Sequence, residues 1–348
     1  MKAGIICFTA RGTDLCLRLS REWKKIGIDS EGYVPARFWK EEWRSEGIYP
    51  RECPLSQWAQ TMFQERRPLV FVGAAGIAVR AIAPFVRDKF TDPPVLVIDE
   101  GGTFCIPLLS GHVGGANRLA RQACQCLGAI PVITTATDVN GLFAVDEFAV
   151  SNGLIIADRE EAKQISSCLL EGEPVGYFCD LEAADERKWS PPPGCIGRSC
   201  AHNIWITYKK SPAFSGTGQV LRLIPRCLIL GIGCRRGVEP HVLEQCVMSV
   251  LEDHDIDPQS VRLLATIDRK KEERAILALS ETYGWPVTVF TAEELKQVPG
   301  EFSESPFVRQ TVGVGNVCER SAVAAGGRLI VHKTAGEGVT VAAAIYPL

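Results

Sequence analysis

Residues 95–141 read VLVIDEGGTFCIPLLSGHVGGANRLARQACQCLGAIPVITTATDVNG, and the changes of pattern within them decide the fold. Val95–Asp99 predicts a strand, its continuous apolar run Val95–Ile98 as expected of one covered on both faces. Cys105–Leu109 is a second such run. From Gly114 to Leu127 the spacing changes to a helical one, with Leu119, Ala120, Ala123 and Leu127 on one face. Pro131–Thr134 returns to a strand. Polar residues gather at the ends of these elements: Asp99, Glu100, Ser110, His112, Asn117, Thr134, Thr135 and Asp138. Open α/β sheets bind ligands at such strand ends.

The same alternation runs outward in both directions. Ile5–Phe8 predicts a strand, Thr13–Ile26 and Pro54–Arg66 helices, and Leu69–Gly73 a strand leading into a helix over Gly76–Phe85. A less regular middle part holds a helix near Arg159–Leu170 and strands near Val175–Phe178 and Ile204–Tyr208. The last third opens on the buried strand Cys227–Gly233. Pro240 suits the first turn of the next helix, and Thr291-Ala-Glu-Glu294 supplies a capping box. Strands at Arg328–His332 and Val339–Tyr346 follow, joined by a turn at Ala335–Gly338. The expected class is therefore α/β, with mostly parallel sheets, crossover helices and several domains, including a separate α/β C-terminal domain. The expected boundaries are 1–141, 142–224 and 225–348.

Composition excludes several classes of function. Lys plus Arg number 38 against 41 Asp plus Glu, for a formal charge of −3. That balance offers no global field for nucleic acid or an anionic membrane surface. No apolar run approaches the roughly 20 residues of a membrane span, and the N-terminal apolar run is too short for a secretory signal. A cytoplasmic protein is expected. The 14 cysteines are scattered without a Cys-x-x-Cys pair, so reduced core residues are expected and no protein-held metal.

Four glycine turns stand between strands and helices: Gly73–Gly76, Gly111–Gly115, Gly231–Gly237 and Gly313–Gly315. Each either presents backbone N–H groups to an anion or permits close packing. The glycine spacing after Gly231 and Gly233 does not match a dinucleotide fingerprint. His112 is either a proton-transfer group or a structural loop histidine. Glu100, beside Asp99, could orient it or simply belong to an Asp-Glu-Gly-Gly turn. Thr134, Thr135 and Asp138 either line the same rim or cap the next element. Arg235 and Lys270 follow strands in the last third, where they either bind carboxylates or are solvated charge. No Gly-x-Ser-x-Gly elbow supports a serine hydrolase.

Several of these motifs, in this order, resemble the cobalt-precorrin-5A hydrolase (CbiG) family of anaerobic cobalamin biosynthesis. The resemblance rests on Phe71–Arg80, Leu109–Asn117, Pro131–Gly141, Gly231–Gly237, Ala265–Asp268, Gly313–Glu319 and Lys333-Thr334. It implies a hydrolase that opens the δ-lactone of a cobalt-bearing tetrapyrrole, with departure of a two-carbon unit as acetaldehyde and formation of cobalt-precorrin-5B. It also implies cobalt carried by the substrate, no cofactor of the protein's own, and at most transient contact with other enzymes of the pathway. Within that reading His112, Glu100 and Asp138 are the expected catalytic groups, with His112 as the base and the N–H groups of Gly114 and Gly115 as oxyanion donors. Gly73, Gly76, Ser110, Asn117, Thr134, Thr135, Gly231, Gly233, Arg235, Asp268, Lys270, Gly315, Asn316 and Lys333 are expected to bind substrate. The competing class is a corrinoid carrier or scaffold, which would use the same turns and cations without chemistry.

Overall fold

The apolar runs become the inner strands of three sheets in a computed structural model, which describes residues 2–88, 91–112, 114–181, 186–211 and 216–348. Val113, inside the Gly111–Gly115 turn of the resemblance, lies outside these residues. The chain divides into two compact units, Met1–Phe148 and Ala149–Leu348.

The first unit holds one seven-stranded sheet. Its strands are β1 (Ala3–Cys7), β2 (Ser30–Val34), β3 (Ile48–Pro50), β4 (Leu69–Val72), β5 (Val95–Ile98), β6 (Phe104–Leu109) and β7 (Ile130–Pro131). They lie in the order β3-β2-β1-β4-β5-β6-β7. Helices α1 (Ala10–Lys25), α2 (Leu55–Gln64), α3 (Ala75–Ile82) and α4 (Ala116–Leu127) cover it. The unit ends with the short α5 (Ala136–Val139) and the start of α6 (Val145–Ser151). Strands β4 and β5 are buried throughout because each lies between neighbours and beneath helices. Ala120, Ala123, Cys124 and Leu127 of α4 pack with Ile98 and Cys105. Thr9 caps α1 by accepting from the Gly12 N–H at 3.0 Å, and Lys24 and Lys25 face its carbonyl end.

One strand runs against expectation. β6 pairs antiparallel with β5, placing Leu109 opposite Val95 and Cys105 opposite Ile98. The Asp99–Thr103 segment is thus a hairpin turn, in which the Asp99 carboxylate accepts the Gly101 N–H at 3.0 Å and the Phe104 N–H at 2.5 Å. β7 is parallel to β6 and is only two residues long. Thr134, expected as strand, lies beyond it, and Thr135 directly precedes α5.

The second unit carries two five-stranded sheets. One contains β8 (Leu154–Ile156), β9 (Val175–Cys179), β10 (Cys195–Ile196), β11 (His202–Ile206) and β12 (Gln219–Pro225), with α7 (Arg159–Leu170) packed on it. The other contains β13 (Leu228–Cys234), β14 (Val261–Ile267), β15 (Val287–Phe290), β16 (Arg328–Gly336) and β17 (Val339–Ile345), in the order β15-β14-β13-β17-β16. Strands β13, β14 and β15 are parallel, while β17 is antiparallel to both β13 and β16. The carboxyl ends of β13, β14, β15 and β16 therefore share one end of the sheet. Helices α8 (Pro240–Asp253), α9 (Arg274–Tyr283), α10 (Ala292–Gln297), α11 (Pro306–Val312) and α12 (Cys318–Ala324) complete the unit. Pro240 starts α8, and the Thr291–Glu294 capping box forms as read from sequence.

Gly231 belongs to this packing and not to a ligand surface. A Cβ there would lie 1.8 Å from the Cys318 carbonyl oxygen, so only glycine lets α12 reach the sheet. All 14 cysteines are free, half of them buried and half partly buried. No helix among the described residues is long and apolar enough to cross a membrane.

Candidate functional site

The antiparallel course of β6 brings His112 to the end of the sheet where β5 begins. Ser110 takes a left-handed backbone conformation (φ 56°) and anchors there by donating to the Asp92 carbonyl at 2.9 Å. Gly114 closes the loop beneath it, since a Cβ at that position would meet the Ser110 Cβ at 2.4 Å. Because β7 runs parallel to β6, the chain leaving it reaches the same place with Thr135, Thr137 and Asp138.

A partly buried ion-pair network results. His112 Nε2 lies 2.8 Å from Asp138 Oδ2 and 3.1 Å from Thr137 Oγ1. On the other side of the ring, Nδ1 is 3.6 Å from Asp146 Oδ1. Asn117 Nδ2 donates to Thr135 Oγ1 at 3.0 Å and to Asp138 Oδ2 at 2.9 Å. Thr135 Oγ1 donates to Asp138 at 2.7 Å, and Arg121 pairs with its other oxygen. Asp146, then Asp138, stabilises the charged imidazole against the opposing effect of burial, and the His112 pKa is pushed up to about 9. Burial alone would raise Asp138, but hydrogen bonds from Thr135, Arg121 and His112 outweigh it and bring its pKa down to about 2. At neutral pH His112 is thus an imidazolium and Asp138 a carboxylate. His112 was expected as a free base; the ring is here charged and held between two acids.

His112, Asp138 and Glu147 each place one ligand atom within 4.8 Å of the others, a donor set that suits a divalent cation. Asp138 already faces two cations, however, so the arrangement reads first as a network of ion pairs.

Glu100 lies elsewhere. It follows β5 at the opposite end of that strand and accepts from Thr9 Oγ1 at 2.6 Å. Strand length alone separates the two ends by about 10–13 Å. The reason is β6: had it run parallel to β5, Glu100 and His112 would have emerged together. Gly73, between β4 and α3, and Gly76, in the first turn of α3, also lie outside the His112 network. Thr134 is exposed beside the network. Of the two expected oxyanion donors, the Gly115 N–H is committed to the His112 carbonyl at 2.9 Å, whereas the Gly114 N–H has no partner among the described residues.

A cavity of about 890 Å³ opens at the carboxyl end of the C-terminal sheet. Its walls include five cationic side chains: Arg235, Arg236, Arg269, Lys270 and Lys333. Gly233, Gly315 and Asn316 also line it. Lys270 pairs with Glu273 at 2.6 Å, and Glu273 also accepts the Gly237 N–H at 3.0 Å. Against the effect of its burial, these contacts hold Glu273 below the usual carboxylate range. Arg269 donates to the Thr311 carbonyl at 3.0 Å. Among the described residues, Arg235, Arg236 and Lys333 have no carboxylate within ion-pair distance. Asp268 does not line the cavity; it is exposed and caps its own turn through the Arg269 N–H at 2.7 Å. The cavity is suited to a large ligand bearing several carboxylates.

Several residues escaped the sequence reading. Asp146 and Glu147 begin α6 only a few residues beyond the quoted stretch, in a first turn where acids also serve the helix dipole. Arg121 lies one helical turn after Asn117, a spacing that places both on one face of α4.

Three family models match successive parts of the chain. They describe the cobalamin synthesis G N-terminal region (residues 57–138), the cobalamin biosynthesis central region (143–225) and the cobalamin synthesis G C-terminus (228–344). The cobalt-precorrin-5A hydrolase of Salmonella typhimurium is 35% identical over 346 residues, covering 97% of this chain and 95% of that protein. The protein of the same name from Priestia megaterium is 28% identical over 364 residues, covering 99% and 94%. Among solved structures, a cobalamin biosynthesis protein G homolog from Sulfolobus solfataricus aligns with 99% of this chain and 97% of its own. That alignment has 21% identity and a TM-score of 0.44.

Proposed function

The chain belongs to the cobalamin synthesis G family, with cobalt-precorrin-5A hydrolases as full-length relatives, and on that premise we propose that it opens the δ-lactone of cobalt-precorrin-5A and releases acetaldehyde to give cobalt-precorrin-5B. It is a hydrolase of cobalamin biosynthesis. The observation that carries the substrate reading is the cavity with five cations, three of them without an acidic partner among the described residues. A tetrapyrrole rich in carboxylates supplies the missing charge. The cavity's size falls in the range of about 300–1,000 Å³ typical of small-molecule and cofactor sites. Cobalt enters as part of the substrate, and we assign no resident cofactor. We place the enzyme in the cytoplasm, with other enzymes of the pathway as transient partners.

His112 acts first as an acid. Water adds to the lactone carbonyl, giving its proton to a carboxylate for which Glu147 is the candidate, and the Gly114 N–H stabilises the oxyanion. As the acyl–oxygen bond breaks, the imidazolium donates its proton to the departing ring oxygen, which becomes a hydroxyl. The now neutral His112 then removes that proton. The carbon–carbon bond breaks, its electron pair stays on the macrocycle, and the hydroxyl carbon leaves as acetaldehyde. Asp138 and Asp146 hold the ring and stabilise its charged form. Glu100 has no part in these steps.

Acetaldehyde release tests the assignment. Purified protein supplied with cobalt-precorrin-5A should yield one equivalent of aldehyde. Folded, substrate-bound protein that yields none would be a carrier instead. His112→Gln should lower kcat by about 10²-fold or more, and near-normal turnover would return His112 to a structural role.

A further inference from the structure

The geometry points to Glu319 as the residue that positions the anion-binding wall of the cavity, acting through Lys333. This rests on the reading of that cavity as the substrate site. Glu319 is fully buried at the start of α12. Its Oε2 accepts from the Ser303 N–H at 3.0 Å, the Ser303 hydroxyl at 3.1 Å and Asn316 Nδ2 at 2.6 Å. Oε1 accepts from the Lys333 N–H at 2.8 Å and lies 3.2 Å from His332 Nδ1. The Glu319 N–H in turn donates to Asn316 Oδ1 at 2.9 Å, so the Asn316 amide is held at both ends. One carboxylate therefore ties together the 303 loop, the turn before α12 and strand β16.

Lys333 depends most on this tie. The β16–β17 pairing shifts register between Val331 and Thr334, leaving His332 and Lys333 outside the matched pairs. Such an irregularity re-aims side chains at the cost of ladder hydrogen bonds. Glu319 supplies the partner that the ladder does not, fixing the backbone from which the Lys333 side chain enters the cavity. A neutral residue at 319 leaves this segment free to re-register. An amide there also turns an N–H₂ group toward one set of backbone donors.

The test uses the full chain and two readouts: binding of a metal-free octacarboxylated porphyrin by fluorescence titration, and steady-state kinetics on cobalt-precorrin-5A. Glu319→Gln and Lys333→Ala should each weaken porphyrin binding about tenfold or more. Each should raise KM while leaving kcat within about threefold. The double variant should bind no more than about threefold more weakly than Lys333→Ala alone, because both changes remove one interaction. Glu319→Asp keeps the charge and shortens the reach; it provides the same readouts if the Gln variant does not fold.

Normal porphyrin binding by Glu319→Gln, or losses that multiply in the double variant, would overturn the positioning role. If the wild type does not bind the porphyrin and Lys333→Ala leaves KM unchanged, the substrate reading of the cavity fails. Weaker binding by Lys333→Ala together with normal binding by Glu319→Gln and Glu319→Asp refutes only the role of Glu319.

Discussion

The charge state of His112 yields the sharpest prediction. A histidine held at about 9 in the folded protein and at an ordinary 6.5 when unfolded binds its proton more tightly in the native state. Each tenfold in proton affinity corresponds to about 1.4 kcal/mol, so the network contributes at most roughly 3–4 kcal/mol, and roughly 2–3 kcal/mol after screening. The sign follows from the raised value: this stability is fully present below pH 6.5 and is lost as pH rises through about 9. Labelled-histidine NMR reads the titration directly, and His112→Gln identifies the signal among the five histidines. The resonance should titrate near 9 in the wild type, and markedly lower in Asp146→Asn and Asp138→Asn. The stability difference between wild type and His112→Gln should be flat below pH 6.5 and shrink between 6.5 and 9. A His112 signal titrating near 6.5, or a stability difference independent of pH, would refute the imidazolium assignment and with it the acid role.

The remaining predictions concern activity and packing. The turnover number should fall as pH rises through about 9, following loss of the His112 proton, and activity sustained well above that value would contradict an acid role. Arg235→Ala should raise KM by about tenfold or more with little change in kcat; an unchanged KM would remove Arg235 from substrate binding. Glu100→Gln should leave kcat within about twofold, and a loss approaching that of His112→Gln would show that both ends of the sheet take part. Gly231→Ala forces a methyl group into the Cys318 carbonyl and should destabilise the second unit by roughly 3 kcal/mol or more, measured by thermal unfolding.

Much of the architecture was legible because the inner strands and long helices carry their own periodicity. Val95–Ile98, Leu228–Cys234 and the apolar face of α4 needed no knowledge of their neighbours. Elements whose patterning is weak or short were missed. β2 and β3 lie at the end of the first sheet, and β3 has only three residues. Helices α11 and α12, seven residues each, flank Gly313 and Gly315, which read from sequence only as a glycine turn. His112, Asn117, Thr135 and Asp138 were read as one group and do meet, because a helix and a short strand return them to the same loop. Glu319 was read as part of a motif without a role, since nothing local shows that it accepts the Lys333 N–H 14 residues away.

The opening stretch thus settled, unaided, that strands and helices alternate and that its polar groups sit at element ends. Those properties depend on residue type and spacing within a short window. Only the tertiary structure decided that β6 runs antiparallel to β5. An apolar strand has the same composition in either direction, and its direction is set by pairing with a neighbour and by the turn between them. That one direction separates Glu100 from His112 and gives the histidine Asp138 and Asp146 as partners. By surrounding the ring with carboxylates, it also keeps His112 charged at neutral pH.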